Sequence, residues 1–341
     1  MAARLPLPLL VPGRALPLPP RLFGLLGRNL QHSRFPSSFE RAWADLRDRR
    51  IEYGHDNDCN MPASCIVHLL DLDRMQLSVL DTRIATRTIV RATQQLGFGG
   101  LAVTMPCKQF AREAVDSETE AVRVIGAVNC ITFHEDDNGL GMAIGHNVDW
   151  LGAKLSMQEG LGTEWDTAAD SICVVGAGGV ARAVCFALVQ LRVREVFVVN
   201  EHDPTSAASL VADLQPFAEA LVGYGDAATS PKQAITQIQV AKTIPRHVNG
   251  LVNGTPVGMT GGPSGLPVHA SALDAPNLRW VFDTVCYPSE TPLLNAAAQR
   301  GLLILQGGRM NLHVRRALFS CCCEVPVESC AALFDGAEES P

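Results

Sequence analysis

Residues 174–184 read VVGAGGVARAV: a short apolar strand pattern is followed by small residues, and these begin a helical pattern. Glycine-rich turns also occur for steric reasons alone, so the run is interpreted together with the strand and helix around it. Gly176 permits a tight turn, Gly178 lets the backbone approach a pyrophosphate, and Ala181 is small enough for a helix to pack closely on a strand. The amide groups at a helix start can also hold phosphates. The run therefore predicts a dinucleotide-binding loop formed by Gly176, Ala177, Gly178, Gly179, Val180 and Ala181.

The residues that follow support this interpretation. A helical pattern over 179–191 leads into a strand pattern that ends at Asn200, and Glu201 comes next. This is close to the place, about 20 residues on, where an acidic side chain hydrogen-bonds a ribose 2′-hydroxyl. We predict that Asn200 and Glu201 contact the cofactor. The alternative is that Glu201 only begins a solvated turn, since acidic residues favour turns.

Strand and helix patterns alternate along the whole chain. In the first half they are a strand (21–27), a helix (37–50), a strand (64–72) and a helix (87–97). From about residue 150 they are a helix (149–157), a strand and helix (171–191), a strand (194–201), strands within 247–259 and 279–288, a helix (291–301) and a strand (302–307). Such alternation predicts an α/β fold with parallel or mixed sheets, and 341 residues are enough for two domains.

Composition excludes several classes of function. The chain is 47% hydrophobic and 18% charged, which indicates a globular protein. Its net charge of −7 disfavours nucleic acids and anionic membranes as partners. No apolar stretch approaches the roughly 20 residues that span a bilayer. We expect a cytoplasmic protein in which residues 1–20, rich in Pro, Leu and Arg, form a disordered extension.

The eleven cysteines do not predict a metal site or a disulfide framework. Cys130, Cys173 and Cys185 lie in apolar strand or helix patterns, as expected of small buried residues in a reducing compartment. The run from Cys321 to Cys323 lacks the paired CxxC spacing of zinc sites. We therefore predict no metal.

Lys108 is the strongest candidate for chemistry in the first half. It is the only charged residue of GFGGLAVTMPCKQ (97–109), where a short strand pattern is followed by Thr104 and Pro106. A strand that ends in a proline turn presents the next residues at the rim of a sheet, where α/β proteins bind ligands.

Six segments, in order, resemble motifs of the shikimate/quinate dehydrogenase family. They are GFGGLAVTMPCK (97–108), GAVNCI (126–131), GHNVDWLG (145–152), VVGAGGVARAV (174–184), NGTPVGM (253–259) and YPSETPLL (287–294). The resemblance runs from about residue 21 to about 335. It implies two α/β domains around a cleft: a substrate-binding domain (21–148, completed by 307–341) and a Rossmann-type NAD(P)-binding domain (149–306).

The resemblance also implies roles for particular residues. Lys108 would be the general acid/base beside the substrate hydroxyl and Asp149 its partner, because a lysine held by a carboxylate in a partly desolvated cleft can exchange a proton with an alcohol. The alternative is an interdomain ion pair without a catalytic role. The other implied contacts are Ser33, Thr104 and Asn129 to the substrate, and Asn253, Thr255 and Met310 to the cofactor. Asn129 is about as well explained by a structural amide bond, NGTP is also a turn signal, and Met310 is also a typical core residue.

The sequence departs from the family pattern where the substrate would bind. The family motif HSxSP, whose two serines the resemblance implies to bind the substrate carboxylate, is here His32, Ser33, Arg34, Phe35, Pro36, so its second serine is lost. A family asparagine is Ala102, a glutamine falls on Val314, and a tyrosine is shifted, giving Cys286 and Tyr287. Several polar contacts are therefore weakened, which predicts altered substrate preference or affinity with the chemistry kept.

The cofactor and substrate follow from these comparisons. NADP-preferring members carry Asn-Arg-Thr after the second nucleotide strand, whereas this chain has Asn200, Glu201 and His202. A carboxylate repels a 2′-phosphate, so we predict NAD over NADP, which suits quinate catabolism better than aromatic amino acid biosynthesis. We expect a dehydrogenase, monomeric or homodimeric, acting on a small cyclic hydroxy acid such as quinate or shikimate.

Two other hypotheses stay open from the sequence. One is a catalytically weak or idle regulator that binds a metabolite of the quinate/shikimate pathway, which the broken HSxSP motif favours. The other is an unrelated dinucleotide-binding reductase, which leaves the motifs GAVN and TPVGM unexplained.

Overall fold

The structure is a computed structural model that describes residues 20–52, 62, 64–135, 141–163, 165–221 and 235–334. The predicted disordered extension lies outside these residues except for Pro20, and so does the end of the predicted C-terminal segment, residues 335–341.

The first half of the chain forms a mixed six-stranded sheet in the order β2-β1-β3-β5-β6-β4. Its strands are β1 (Arg21–Gly27), β2 (Cys65–Asp71), β3 (Gly100–Val103), β4 (Ser117–Glu118), β5 (Cys130–Glu135) and β6 (Gly141–His146). β1 runs parallel to β2 and β3, whereas β5 is antiparallel to both β3 and β6. Phe23 and Leu26 of β1 are almost fully buried, as a central strand covered on both faces requires.

Helices from both ends of the chain cover this sheet. Those of the first half are α1 (Phe35–Glu52), α2 (Val79–Gln95), α3 (Lys108–Arg112) and α4 (Glu120–Ile125). Two more come from the C-terminal part, α9 (Gly307–Cys323) and α10 (Ala331–Phe334). Phe39 of α1 packs against Phe23 and Phe319, and Phe319 packs against Phe334. The C-terminal helices therefore complete the core of the first sheet.

The second half forms a fully parallel six-stranded sheet in the order β12-β11-β10-β7-β8-β9. Its strands are β7 (Ser171–Val175), β8 (Glu195–Val199), β9 (Gln237–Val240), β10 (Gly250–Asn253), β11 (Trp280–Asp283) and β12 (Leu303–Gln306). Its helices are α5 (Asp149–Leu161), α6 (Gly179–Gln190), α7 (Pro204–Ala220) and α8 (Pro292–Ala298). This is the doubly wound arrangement that places ligands at the carboxyl ends of the strands.

The α/β fold predicted from the alternating patterns is confirmed, and the differences are local. α2 begins at Val79, eight residues before the predicted start, because Ser78 caps it by accepting a hydrogen bond from the Asp81 N–H. Cys130, Cys173 and Cys185 are fully buried, as predicted. Within the described residues we find no helix with the length and apolar character that crossing a membrane requires.

Candidate active site

Lys108 and Asp149 form an ion pair next to the carboxyl end of β3. The Lys108 Nζ donates a hydrogen bond to Asp149 Oδ2 over 2.5 Å, and the two side chains are 20% and 9% exposed. Lys108 starts α3 after the turn that follows β3, and Asp149 starts α5, where the helix dipole favours a carboxylate. Two residues 41 positions apart are thus brought together away from bulk water.

Two buried asparagines fix the backbone at Asp149. Asn147 Oδ1 accepts a hydrogen bond from the Asp149 N–H at 3.0 Å, and its amide group donates to the Ala127 carbonyl. Asn129 Oδ1 accepts from the Val148 N–H at 2.8 Å. Asn129 therefore makes the structural amide bond that the sequence left open, while among the described residues its side-chain nitrogen has no acceptor. Asn147, which the sequence analysis quoted without assigning a role, is a positioning residue in this geometry.

The other predicted substrate residues lie at the ends of β1 and β3. Ser33 is half-buried, and its Oγ accepts a hydrogen bond from the Phe35 N–H at 3.2 Å. Thr104 is half-buried, and its carbonyl accepts from the Cys107 N–H in the turn before Lys108. Phe35 is buried in the aromatic core beside Phe39. The side chain that replaces the motif serine therefore packs into the core.

A cavity of about 360 Å³ lies at the carboxyl ends of β7, β8 and β10. Gly176, Asn200, Glu201 and Thr255 line it, as do residues that the sequence analysis did not single out, among them His202, Thr243, Arg246 and His269. This volume is in the range of small-molecule sites. The loop that contributes Arg246 has no recognisable pattern, so only the fold brings it to the cavity.

The glycine-rich loop has the geometry that its sequence predicts. Gly176 has a φ of +99°, a conformation that favours glycine, and its N–H donates to the Val199 carbonyl. Apart from the chain neighbours and the backbone of α6 itself, no atom of the described residues lies within 4 Å of a Cβ placed on Gly178 or Gly179, which leaves space in front of the first turn of α6. Ala181 is fully buried, and a Cβ placed on Gly254 would lie 2.7 Å from the Cβ of Ala181. The space in front of the start of α6, next to the carboxyl end of β7, is suited to a pyrophosphate because free N–H groups at a helix start can bind phosphate oxygens.

Asn253 and Met310 are placed differently from the other predicted cofactor residues. Asn253 is fully buried: its amide donates to Asp283 Oδ1 and the Val257 carbonyl, and its oxygen accepts from the N–H and hydroxyl of Thr255. It therefore holds the Thr255 loop and does not line the cavity. Met310 is 5% exposed and packs in the core of the second sheet, together with Ala177 and partly buried Val180.

Cys286, in the loop after β11, is close enough to Lys108 and Asp149 for their charges to affect its thiol. The pKa of the Cys286 thiol is raised to about 11, mainly by burial and also by the charge of Asp149, against opposing effects of Lys108 and Arg315. Burial also raises the pKa of Asp283, although Thr291, Val285 and Asn253 donate hydrogen bonds that oppose this shift. No group of three or more His, Cys, Asp or Glu side chains suited to a metal ion occurs in the described part of the chain.

Comparisons with known proteins agree with this arrangement. Residues 67–131 match the sequence profile of the shikimate dehydrogenase substrate binding domain. The shikimate dehydrogenase (NADP(+)) of Streptomyces avermitilis is 32% identical over 289 residues, 85% of this chain and 85% of that protein. The quinate/shikimate dehydrogenase (NAD(+)) of Corynebacterium glutamicum is 37% identical over 230 residues, 67% of this chain and 73% of that protein.

A solved structure extends the match to the whole fold. Quinate dehydrogenase from Corynebacterium glutamicum in complex with NAD has a TM-score of 0.66 and 29% identity, covering 92% of this chain and 98% of that one. Because identity above 30% extends over most of both chains in the Streptomyces relative, and the architecture agrees throughout, the chain belongs to the shikimate/quinate dehydrogenase family of NAD(P)-dependent oxidoreductases.

Proposed function

We propose that the chain catalyses reversible hydride transfer between a nicotinamide cofactor and a ring hydroxyl of quinate, shikimate or a close analogue, with NAD favoured over NADP. The observation that carries this proposal is the part-buried Lys108–Asp149 pair at the carboxyl edge of the first sheet. In the domain assignment that follows, residues 21–148 and 307–341 bind the substrate and 149–306 bind the cofactor.

The chain's own groups supply the proton step. In oxidation, Lys108 acts as the neutral amine: its Nζ takes the hydroxyl proton and becomes the ammonium as the carbinol carbon loses its hydride. In reduction, the Lys108 ammonium gives this proton to the carbonyl oxygen and returns to the amine. Asp149 accepts a hydrogen bond from Lys108 and holds the amine in place, while Asn147 and Asn129 fix the backbone on either side of Val148. When bound, the nicotinamide accepts or supplies the hydride.

The cofactor preference depends on Glu201. Its carboxylate lines the cavity beside Asn200, where it can accept a hydrogen bond from a free ribose hydroxyl and repels a 2′-phosphate. Arg246 lines the same cavity and is a cation that a phosphate would use. The proposal of NAD preference therefore requires that the repulsion between Glu201 and a 2′-phosphate outweighs the attraction between Arg246 and that phosphate. Both cofactors need to be tested side by side. The relatives' names include both NAD(+) and NADP(+) enzymes.

The test is turnover of quinate and of shikimate with NAD and with NADP, using wild-type enzyme and Lys108→Ala. We expect kcat to fall by about 10²- to 10⁴-fold in Lys108→Ala. Lys154→Ala is the matched control, because this lysine of α5 lies over the Trp150 ring and away from the pair, so its kcat should stay near that of wild type. Unchanged kcat in Lys108→Ala would contradict the proposed role.

One observation favours a second candidate, a metabolite-binding regulator without turnover. Phe35 packs against Phe39 and supplies no hydroxyl, so of the two motif serines only Ser33, whose Oγ accepts from the Phe35 N–H, can still donate to a carboxylate. If neither cofactor is reduced but quinate or shikimate raises the melting temperature, the regulator is the better assignment.

A further inference from the structure

Arg315 of α9 is a cation with no anionic partner among the described residues. Its side chain is half-buried, and its Nε atom is buried without a hydrogen-bond acceptor in the same part of the chain. In the described part of the chain no carboxylate pairs with it, whereas Arg309 of the same helix pairs with Glu159. A buried donor left unsatisfied costs free energy, so an unpaired guanidinium of this kind needs an explanation.

The course of α9 places Arg315 between the two halves of the site. At the start of the helix, the Gly307 carbonyl lies 3.5 Å from the Cys286 Sγ, in the loop after β11. Near its end, the Cys322 Sγ lies 4.0 Å from the Cys130 Sγ at the start of β5. Arg315 comes seven residues before Cys322, about two helical turns, and so lies on the same face. It therefore faces the space between the Cys286 loop and the first sheet.

Electrostatic effects agree with this position. Arg315 acts on the Cys286 thiol together with Lys108 and Asp149, so all four groups share one neighbourhood. Burial is the main cause that lowers the pKa of the Arg315 guanidinium. Tyr287 and Cys286 raise this pKa, and the positive charges of Arg316 and Arg34 lower it by less. Since Lys108 is already paired with Asp149, the uncompensated charge of this neighbourhood is positive.

We infer that the Arg315 guanidinium binds the carboxylate of the substrate while the Lys108–Asp149 pair acts on a ring hydroxyl. The planar guanidinium can donate two parallel hydrogen bonds to a carboxylate, which satisfies its own buried nitrogen and orients the ring. Phe35, which replaces the second serine of the motif, is buried beside Phe39 and supplies no donor, so a carboxylate at this site would otherwise have only the Ser33 hydroxyl from the motif. The identity of the ligand as a hydroxy acid rests on the proposed function.

The experiment compares wild-type enzyme with Arg315→Gln on two forms of one substrate: the acid that is turned over and its neutral methyl ester. For the acid we expect KM to rise about ten- to a hundredfold with kcat within about threefold, the loss that a charge-assisted hydrogen bond represents. For the ester, which has no charge to lose, KM should be the same in both enzymes. A purely structural defect would affect the acid and the ester equally.

Two further variants sharpen the comparison. Arg309→Gln removes the same charge from the same helix but on the face that contacts Glu159, so its KM for the acid should match that of wild type. Arg315→Lys keeps the charge but loses the planar fork, and should restore part of the affinity for the acid. Cofactor affinity, measured separately, should be unchanged in all three.

Binding measurements separate this inference from the proposed reaction. If wild-type enzyme does not oxidise the acid, calorimetric binding of the acid to wild type and Arg315→Gln replaces KM. Binding that is lost in the variant alone would support Arg315 as the carboxylate site while the proposed reaction fails. Equal KM or Kd for the acid in wild type and variant, equal losses for acid and ester, or no binding to wild type would overturn the inference.

Discussion

Two glycines near the first turn of α6, where we propose that the cofactor binds, should respond differently to substitution. A Cβ on Gly254 would come within 2.7 Å of the Ala181 Cβ and 2.9 Å of its Cα, so Gly254→Ala must push α6 away from β10. We expect a loss of about 1–3 kcal/mol in the free energy of unfolding. Gly178→Ala meets no atom within 4 Å and should keep the free energy of unfolding within about 1 kcal/mol of wild type while raising the Kd for the cofactor.

Denaturant unfolding and cofactor titration of both variants check this prediction. The two variants are matched controls for each other, since each adds one methyl group beside the first turn of α6, from a different loop. Normal cofactor affinity in Gly178→Ala would show that the pyrophosphate does not approach this residue.

Removing the charge of Glu201 should relax the choice of cofactor. In Glu201→Gln the repulsion of a 2′-phosphate is lost, and we expect kcat/KM with NADP to rise about tenfold relative to that with NAD, a change of about 1.4 kcal/mol. Asp203→Asn is the control: it removes a nearby charge outside the cavity lining and keeps a residue able to cap α7. An unchanged ratio in Glu201→Gln would leave the preference to Arg246 or to other groups.

Residue by residue, the sequence predicted which types of group the site contains but not which atoms remain available. It paired Lys108 with Asp149 through the family motifs, and the structure brings them together. It did not predict that the side-chain amide of Asn253 makes its hydrogen bonds with Thr255, Val257 and Asp283. The sequence NGTP is compatible both with an exposed turn and with a buried hydrogen-bond network, so the motif alone does not distinguish them. Arg315 was missed because an arginine on a helix is usually solvated.

At the scale of elements, α5 and α9 are held together by a charged cluster. Glu159 of α5 accepts hydrogen bonds from Arg309 and from the His313 Nε2, the latter at 2.8 Å. The bond from Arg309 is the main cause that lowers the pKa of Glu159 from 4.5 to about 2. A carboxyl with a lowered pKa in the folded state stabilises the fold above its unfolded pKa, and this stability is lost as pH falls from about 4.5 toward 2.

Glu159→Gln should therefore lower the melting temperature at pH 7 by about 1–3 °C, a small effect because the side chain is partly exposed. The difference from wild type should shrink as pH falls below about 4.5. Glu290→Gln serves as the control, because no ion pair involves Glu290 among the described residues. A difference that stays constant down to pH 2.5 would show that packing, and not the charge, is responsible.

The sequence predicted strands and helices better than their pairing. Alternating strand and helix patterns predict a parallel sheet such as the second one. The antiparallel pairing of β5 with β6 depends on contacts between strands, and a local sequence pattern does not predict those contacts. The predicted start of α2, at residue 87, was too late, although Ser78 followed three residues later by Asp81 is a recognisable helix start.

For the whole molecule, the sequence and the family resemblance together predicted an α/β enzyme of the shikimate/quinate dehydrogenase type, and this is confirmed. Cytoplasmic location and a monomeric or homodimeric state stay predictions. Composition and hydrophobic periodicity do not predict how tightly the cores of the two sheets are coupled. The structure shows that Val314 of α9 packs against the cores of both sheets, with Met310 in one core and Phe319 in the other.

This shared helix predicts that the two cores unfold together. Trp43 is buried in the core of the first sheet and Trp280 in that of the second, so variants that keep only one of these tryptophans report on one core each. At a cofactor concentration of about 100 times its Kd, binding at the second sheet should add roughly 2.7 kcal/mol to the free energy of unfolding. In a cooperative molecule, the denaturation midpoint seen by Trp43 must rise as much as that seen by Trp280. A rise confined to Trp280 would mean that the first sheet unfolds independently, and α9 would then be too weak a connection to transmit cofactor binding to the substrate side.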